Sequence, residues 1–102
     1  MGTFALIYSG GSMAQTPQEQ QAVMQAWNEW FGSLGDAVVQ PGNPFGASAS
    51  VSGDGVGRPR TLGATGYSVI RAGSLDEATG FAKGCPIIAH GGGVDVYEAL
   101  EM

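Results

Sequence analysis

The chain is expected to adopt an α+β fold, with an antiparallel sheet carrying two helices on one face. Three observations predict this. Two stretches with capping-box spacing, Thr16-Pro17-Gln18-Glu19 and Ser74-Leu75-Asp76-Glu77, each open an apolar-striped segment. Each segment stands between runs of β-branched and aromatic residues, so a βαβ pattern occurs twice. The length of 102 residues is that of one small domain, taken here as 1–102.

The first strand is Thr3 to Ser9 (TFALIYS), bounded by Gly10, Gly11 and Ser12; with apolar residues on both faces, it should be central in the sheet. The first helix starts at Thr16 as N-cap, with Pro17 at its first position, where the missing N–H costs nothing. Ala22, Val23, Met24, Ala26, Trp27, Trp30, Phe31 and Leu34 recur at three- and four-residue steps and form its core stripe. Gly32 and Gly35 end the helix, and Ala37 to Gln40 is a short second strand. Pro41 to Gly46 (PGNPFG) is rich in turn residues. Ala47 to Ser52 alternates small apolar residues with Ser, as an exposed or edge strand would, and Gly53-Asp54-Gly55 turns the chain. Val56 to Thr65, with Arg58, Pro59 and Arg60, reads as a loop.

Tyr67 to Ala72 (YSVIRA) is the next strand. Ser74 caps a second helix that runs to about Lys83 and faces the core with Leu75, Ala78, Phe81 and Ala82. Gly84 is assigned the left-handed cap and Pro86 blocks continuation. After Gly91-Gly92-Gly93, Val94 to Leu100 alternates as the last strand. Two helices on one sheet face leave the other face bare. Two copies packed face to face would cover it, which is how a ferredoxin-like βαββαβ protomer becomes a dimeric α+β barrel.

Composition points the same way. The chain has 18 glycines, and only 13% of its residues are charged, so a lone protomer should be unusually apolar outside. A chain of this size buries roughly 64% of its unfolded surface, a thin margin that self-association would widen. A net charge of −5 with only four Lys and Arg argues against nucleic acid as a partner. No apolar run approaches a membrane span and no signal peptide stands at the start, so a soluble, cytoplasmic protein is expected. The single Cys85 cannot form an internal disulfide.

The segments FALIYSGG, TPQEQQAVMQAWNEWF, PGNPFGASASVS and TGYSVIRAGSLDEATGFAKGCPIIAHGGGVDVYEALEM together resemble the YCII-related family over nearly the whole chain except 53–65. The resemblance implies a ferredoxin-like homodimer within the dimeric α+β barrel group, whose enzymes include lactone isomerases and monooxygenases acting on small ring compounds. Two departures limit what it transfers. The family's proposed His and Asp pair has its histidine in the N-terminal half, whereas this chain has no histidine before His90. The Asp-Gly-Pro-Phe signature of one branch is absent, and Gly57-Arg58-Pro59-Arg60 stands in the loop instead.

His90 is the one side chain with a natural charge change near neutrality, and it stands beside three glycines that would let a ligand approach the backbone. Its bland reading is an exposed residue in a turn. Asp95 on the last strand is the second proton-transfer candidate, against a plain ion pair with Arg71. Tyr8, Ser9, Asn43 and Tyr67 offer hydroxyl and amide groups near strand ends, where a ligand-binding pocket opens. Trp27, Trp30 and Phe31 fit an aromatic pocket or, more simply, a core. Cys85 reads as a buried, inert thiol. The glycine run precedes a strand and so lacks the helix N-terminus of a phosphate cradle. One imidazole makes a poor metal site, so no metal and no cofactor are expected. The leading expectation is a homodimer that binds a small organic molecule in a cleft, with cofactor-free proton transfer or elimination on a small ring or carbonyl compound as the chemistry open to it. The competing class is a non-catalytic homodimeric binding or assembly module.

Overall fold

A computed structural model of the chain describes residues 2–11, 15–57 and 63–100. Strand β1 (Gly2–Ser9) alternates as its sequence requires: Phe4, Leu6 and Tyr8 are buried, while Ala5, Ile7 and Ser9 point to the opposite side and are half-buried. Helix α1 (Pro17–Leu34) begins where its capping spacing predicts, the Thr16 hydroxyl accepting the Glu19 N–H at 3.1 Å. The return bond of the box reaches one residue further back, the Glu19 carboxylate accepting the Gln15 N–H at 2.7 Å. Trp30 is the buried residue of α1; Val23, Ala26, Trp27, Phe31 and Leu34 are half-covered, but Ala22 and Met24, expected on the core stripe, are exposed.

Gly35 closes α1 at φ +56 and starts a single 3-10 turn, Gly35–Ala37, so strand β2 is only Val38–Gln40. The middle of the chain departs from expectation. Instead of an edge strand over 47–52 and a loop from 56, β3 (Ser50–Ser52) and β4 (Gly55–Gly57) pair as a hairpin, a separate two-stranded sheet. Val51 lies directly opposite Val56 with each 75% exposed, so this ribbon is held by its own pairing and not by the core. Arg58, Pro59 and Arg60 lie outside the described residues.

Strand β5 (Ala64–Ala72) starts earlier than Tyr67 because the segment after β2 lies along its beginning. Pro44 bridges to Gly66, the Phe45 N–H donates to the Thr65 carbonyl at 2.9 Å, and the Tyr67 N–H donates to the Asn43 carbonyl at 3.3 Å. Helix α2 (Leu75–Ala82) has the expected cap, Ser74 accepting the Glu77 N–H at 3.1 Å while the Glu77 carboxylate accepts the Gly73 N–H at 3.0 Å. Ala78 and Ala82 are buried and Phe81 packs half-buried against the core, as expected; Leu75, in the first turn, stays exposed. Gly84 is not in the left-handed region. The helix ends at Lys83 with φ −59, and Pro86 opens a further short helix, α3 (Pro86–Ala89), burying Ile87. Proline suits that first turn because its absent N–H has no intrahelical acceptor there. Strand β6 (Gly93–Ala99) is the last element among the described residues.

The sheet order is β2-β5-β1-β6 with every neighbouring pair antiparallel, the ferredoxin-like arrangement of a βαββαβ chain. The core lies on one face, where Phe4, Leu6, Ile70 and Ala72 meet Trp30 and Ala78 from the helices. Among the described residues no helix covers the other face, which carries Ala5 and Ile7 of β1, Val69 of β5 and Tyr97 of β6 in two adjacent rows.

Candidate functional site

A cavity of about 340 Å3 lies between the aromatic side chains of α1, the sheet and the segment after β2. Its floor is the sheet, at Tyr8, Gly66 and Ser68; Trp27 and Phe31 form one wall, Pro41 to Pro44 the other, Thr65 the rim and Ile87 the end. Each wall has a local cause. Pro41 and Pro44 favour extended backbone. Gly42, at φ +76, lies so close to β5 that a Cβ there would stand 1.9 Å from the Tyr67 carbonyl oxygen. At the far end a Cβ on Gly92 would stand 2.6 Å from both Ile87 Cγ1 and the Ser9 carbonyl oxygen. That part of the glycine run serves close approach of backbone to core.

The aromatic wall is ordered by edge-to-face contacts. Trp27 meets Tyr8 at 5.0 Å and 80°, and Trp30 at 5.7 Å and 83°. Trp30 in turn donates its indole N–H to the Phe81 carbonyl at 3.0 Å. The buried polar part of the cavity is a two-step relay: the Tyr8 hydroxyl donates to Ser68 Oγ at 2.7 Å, and the Ser68 hydroxyl donates to the Pro41 carbonyl at 2.5 Å. Burial pushes the Tyr8 phenol up to about 12, against the opposing pull of the Ser68 hydrogen bond. Tyr8 is therefore neutral through the physiological range. Cys85, just before α3, is buried, and burial pushes its thiol up to about 11, so it is a poor nucleophile.

The structure separates the residues singled out in sequence. Tyr8 and Asn43 line the cavity. Ser9 and Tyr67 alternate to the other sheet face, where the Tyr67 ring stacks on Phe45 at 5.7 Å and its hydroxyl accepts from the Gln40 amide at 3.3 Å. His90 caps the end of α3, exposed, and does not line the cavity. Asp95 is exposed on the bare sheet face, in register with Ile7. Arg71 lies in the Thr3 row, four residues along β1 and on its other side, thus about 13 Å along the strands and about 10 Å across them, too far for an ion pair with Asp95. Among the described residues no group of three or more His, Cys, Asp or Glu could hold a metal ion.

Ser68 is a cavity-lining residue that the sequence reading does not single out. Its signal was present: in YSVIRA it shares the period-two face of Ile70 and Ala72, so it is a polar group at a core position and needs a buried partner. The strap from Pro41 to Pro44 carries no such signal, because its partner strand begins only at Ala64, far along the chain.

No protein-family model matches the chain, and no curated protein matches it. Among solved structures it is similar to 5-chloro-2-hydroxyhydroquinone dehydrochlorinase (TftG) from Burkholderia phenoliruptrix AC1100, in complex with 2,5-dihydroxybenzoquinone. The match covers 97% of this chain and 95% of that one with a TM-score of 0.57 and 18% sequence identity, a likeness of fold.

Proposed function

We propose that the chain is a YCII-related protein that binds a small organic ring compound in the cavity between α1, the sheet and the Pro41–Pro44 strap. The observation that carries this reading is the wall composition: aromatic and proline surfaces for a flat ring, with one buried polar pair, Tyr8 and Ser68, to orient it. The volume of about 340 Å3 lies at the small end of ligand pockets, the size of a single substituted ring. The structural relative supports the same class, since the molecule in its complex is a dihydroxylated six-membered ring. Binding is the part of the expectation that the geometry supports best. His90 and Asp95, the proton-transfer candidates, stand outside the cavity of one protomer, so the chemistry of a proton-transfer or elimination enzyme is not assigned to them. The binding protein is read as a homodimer joined through the bare sheet face, on the strength of its half-buried Ala5, Ile7 and Val69.

A screen of single-ring compounds by thermal shift and by amide NMR tests the reading. A compound at 100 times its Kd should raise Tm by roughly 10 °C. Its amide shifts should concentrate in Gly42 to Phe45 and Thr65 to Ser68. No rise across the screen, or shifts confined to the bare sheet face, would overturn it.

A further inference from the structure

The hydroxyl relay beneath the cavity has a fixed direction. It ends on the Pro41 carbonyl, which has no proton to give, so the Ser68 hydroxyl is the donor in that bond. With its only proton committed there, Ser68 Oγ faces Tyr8 as an acceptor, and the Tyr8 hydroxyl spends its own proton on Ser68. Both oxygens are left with lone pairs alone. Ser68, 0% exposed, is closed off behind Tyr8, and Tyr8, 5% exposed, is the member of the pair that keeps an edge on the cavity. The other polar lining groups, Asn43 and Thr65, are exposed at the rim and are already solvated. Among the described residues no charged side chain lines the cavity, so an ionised ligand would lose its hydration without gaining a counter-charge from them.

Resting on the ring-binding reading above, we infer that this cavity selects neutral ring compounds that donate a hydrogen bond, phenols being the simplest, because its buried polar wall can only accept. A phenol hydroxyl gives its proton to the free lone pair of the Tyr8 hydroxyl while its ring lies against Trp27 and Phe31. An ether or ketone of the same size brings a further acceptor against acceptors, and both sides remain unpaired. Ser68 thus acts as a positioning residue: it sets which way the Tyr8 proton points.

The test is a Kd series for phenol, anisole and acetophenone by amide NMR titration at neutral pH, on the full chain. Phenol should bind about tenfold more tightly than either of the others, the worth of one hydrogen bond made to a buried acceptor. Tyr8→Phe should shrink that preference to about threefold or less, and Ser68→Ala, by freeing the Tyr8 proton, should tighten acetophenone relative to phenol. Anisole or acetophenone binding as tightly as phenol at the cavity amides would overturn the donor rule and leave ring binding standing. Failure of all three to move those amides would overturn both. A tenfold preference that survives Tyr8→Phe would remove Tyr8 from the selection. The wild-type ratio decides the rule by itself should either variant fail to fold.

Discussion

Replacing Gly42 with alanine should unfasten the strap that closes the cavity. The residue sits at φ +76, where a side chain costs about 1–2 kcal/mol in backbone strain. The added Cβ would also stand 1.9 Å from the Tyr67 carbonyl oxygen and 2.7 Å from its carbon, closer than the 3.0 Å that real Cβ atoms respect. The strap must therefore withdraw by about 1 Å, and because the obstacle is backbone, no side chain can swing aside. The Tyr67 N–H to Asn43 bond, already 3.3 Å long, breaks first, and the bond from Ser68 to the Pro41 carbonyl is next along the same segment. At about 1 kcal/mol for each of two bonds, the total cost is about 3–4 kcal/mol. For a domain of this length that lowers Tm by roughly 15 °C or more. Differential scanning calorimetry reads it directly, with Gly46→Ala as control: that glycine has ordinary φ and open space around it, and its melting point should not fall. A Gly42→Ala protein that melts within about 3 °C of the parent would refute the close-approach reasoning.

Stability should fall at alkaline pH with a defined window. The fold holds Cys85 neutral up to about 11 against an ordinary 9.0, and Tyr8 up to about 12 against 10.0. In both cases the unfolded chain ionises first, so the stability is fully present below pH 9 and is lost as pH rises, through 9–11 for Cys85 and 10–12 for Tyr8. The slope is about 1.4 kcal/mol per pH unit for each group; Cys85→Ala should flatten the lower part of the decline, and a urea midpoint unchanged from pH 8 to 11 would contradict it. Light scattering at micromolar concentration should give about twice the 10.4 kDa chain mass, with Ile7→Lys on the bare face reverting to the protomer. A parent protein of single-chain mass would sink the dimer.

The site was less legible in sequence than the fold, for a reason visible in individual residues. Tyr8 and Asn43 were marked because they bear polar groups near strand ends, and both line the cavity. Ser9 and Tyr67, marked on the same ground, differ by one position along their strands, and one position is enough to send a side chain to the other face. His90 was marked for its chemistry alone, which says nothing about where the helix before it ends.

What the sequence determined by itself are the features whose physics is local. Thr16 and Ser74 cap their helices through bonds that span three residues, and β1 sorts its side chains by strict alternation. Those interactions are complete within a few positions, so composition and spacing suffice to read them. Tertiary structure decided the rest: that Gly84 follows a helix without turning left-handed, that Val51 and Val56 pair in the open, and that Ser68 meets Tyr8 from sixty residues away. Each of those depends on which segment arrives alongside. The cavity is the clearest case, because its polar wall exists only where β1, β5 and the strap converge, with the Pro41 carbonyl fixing the direction of both hydroxyls.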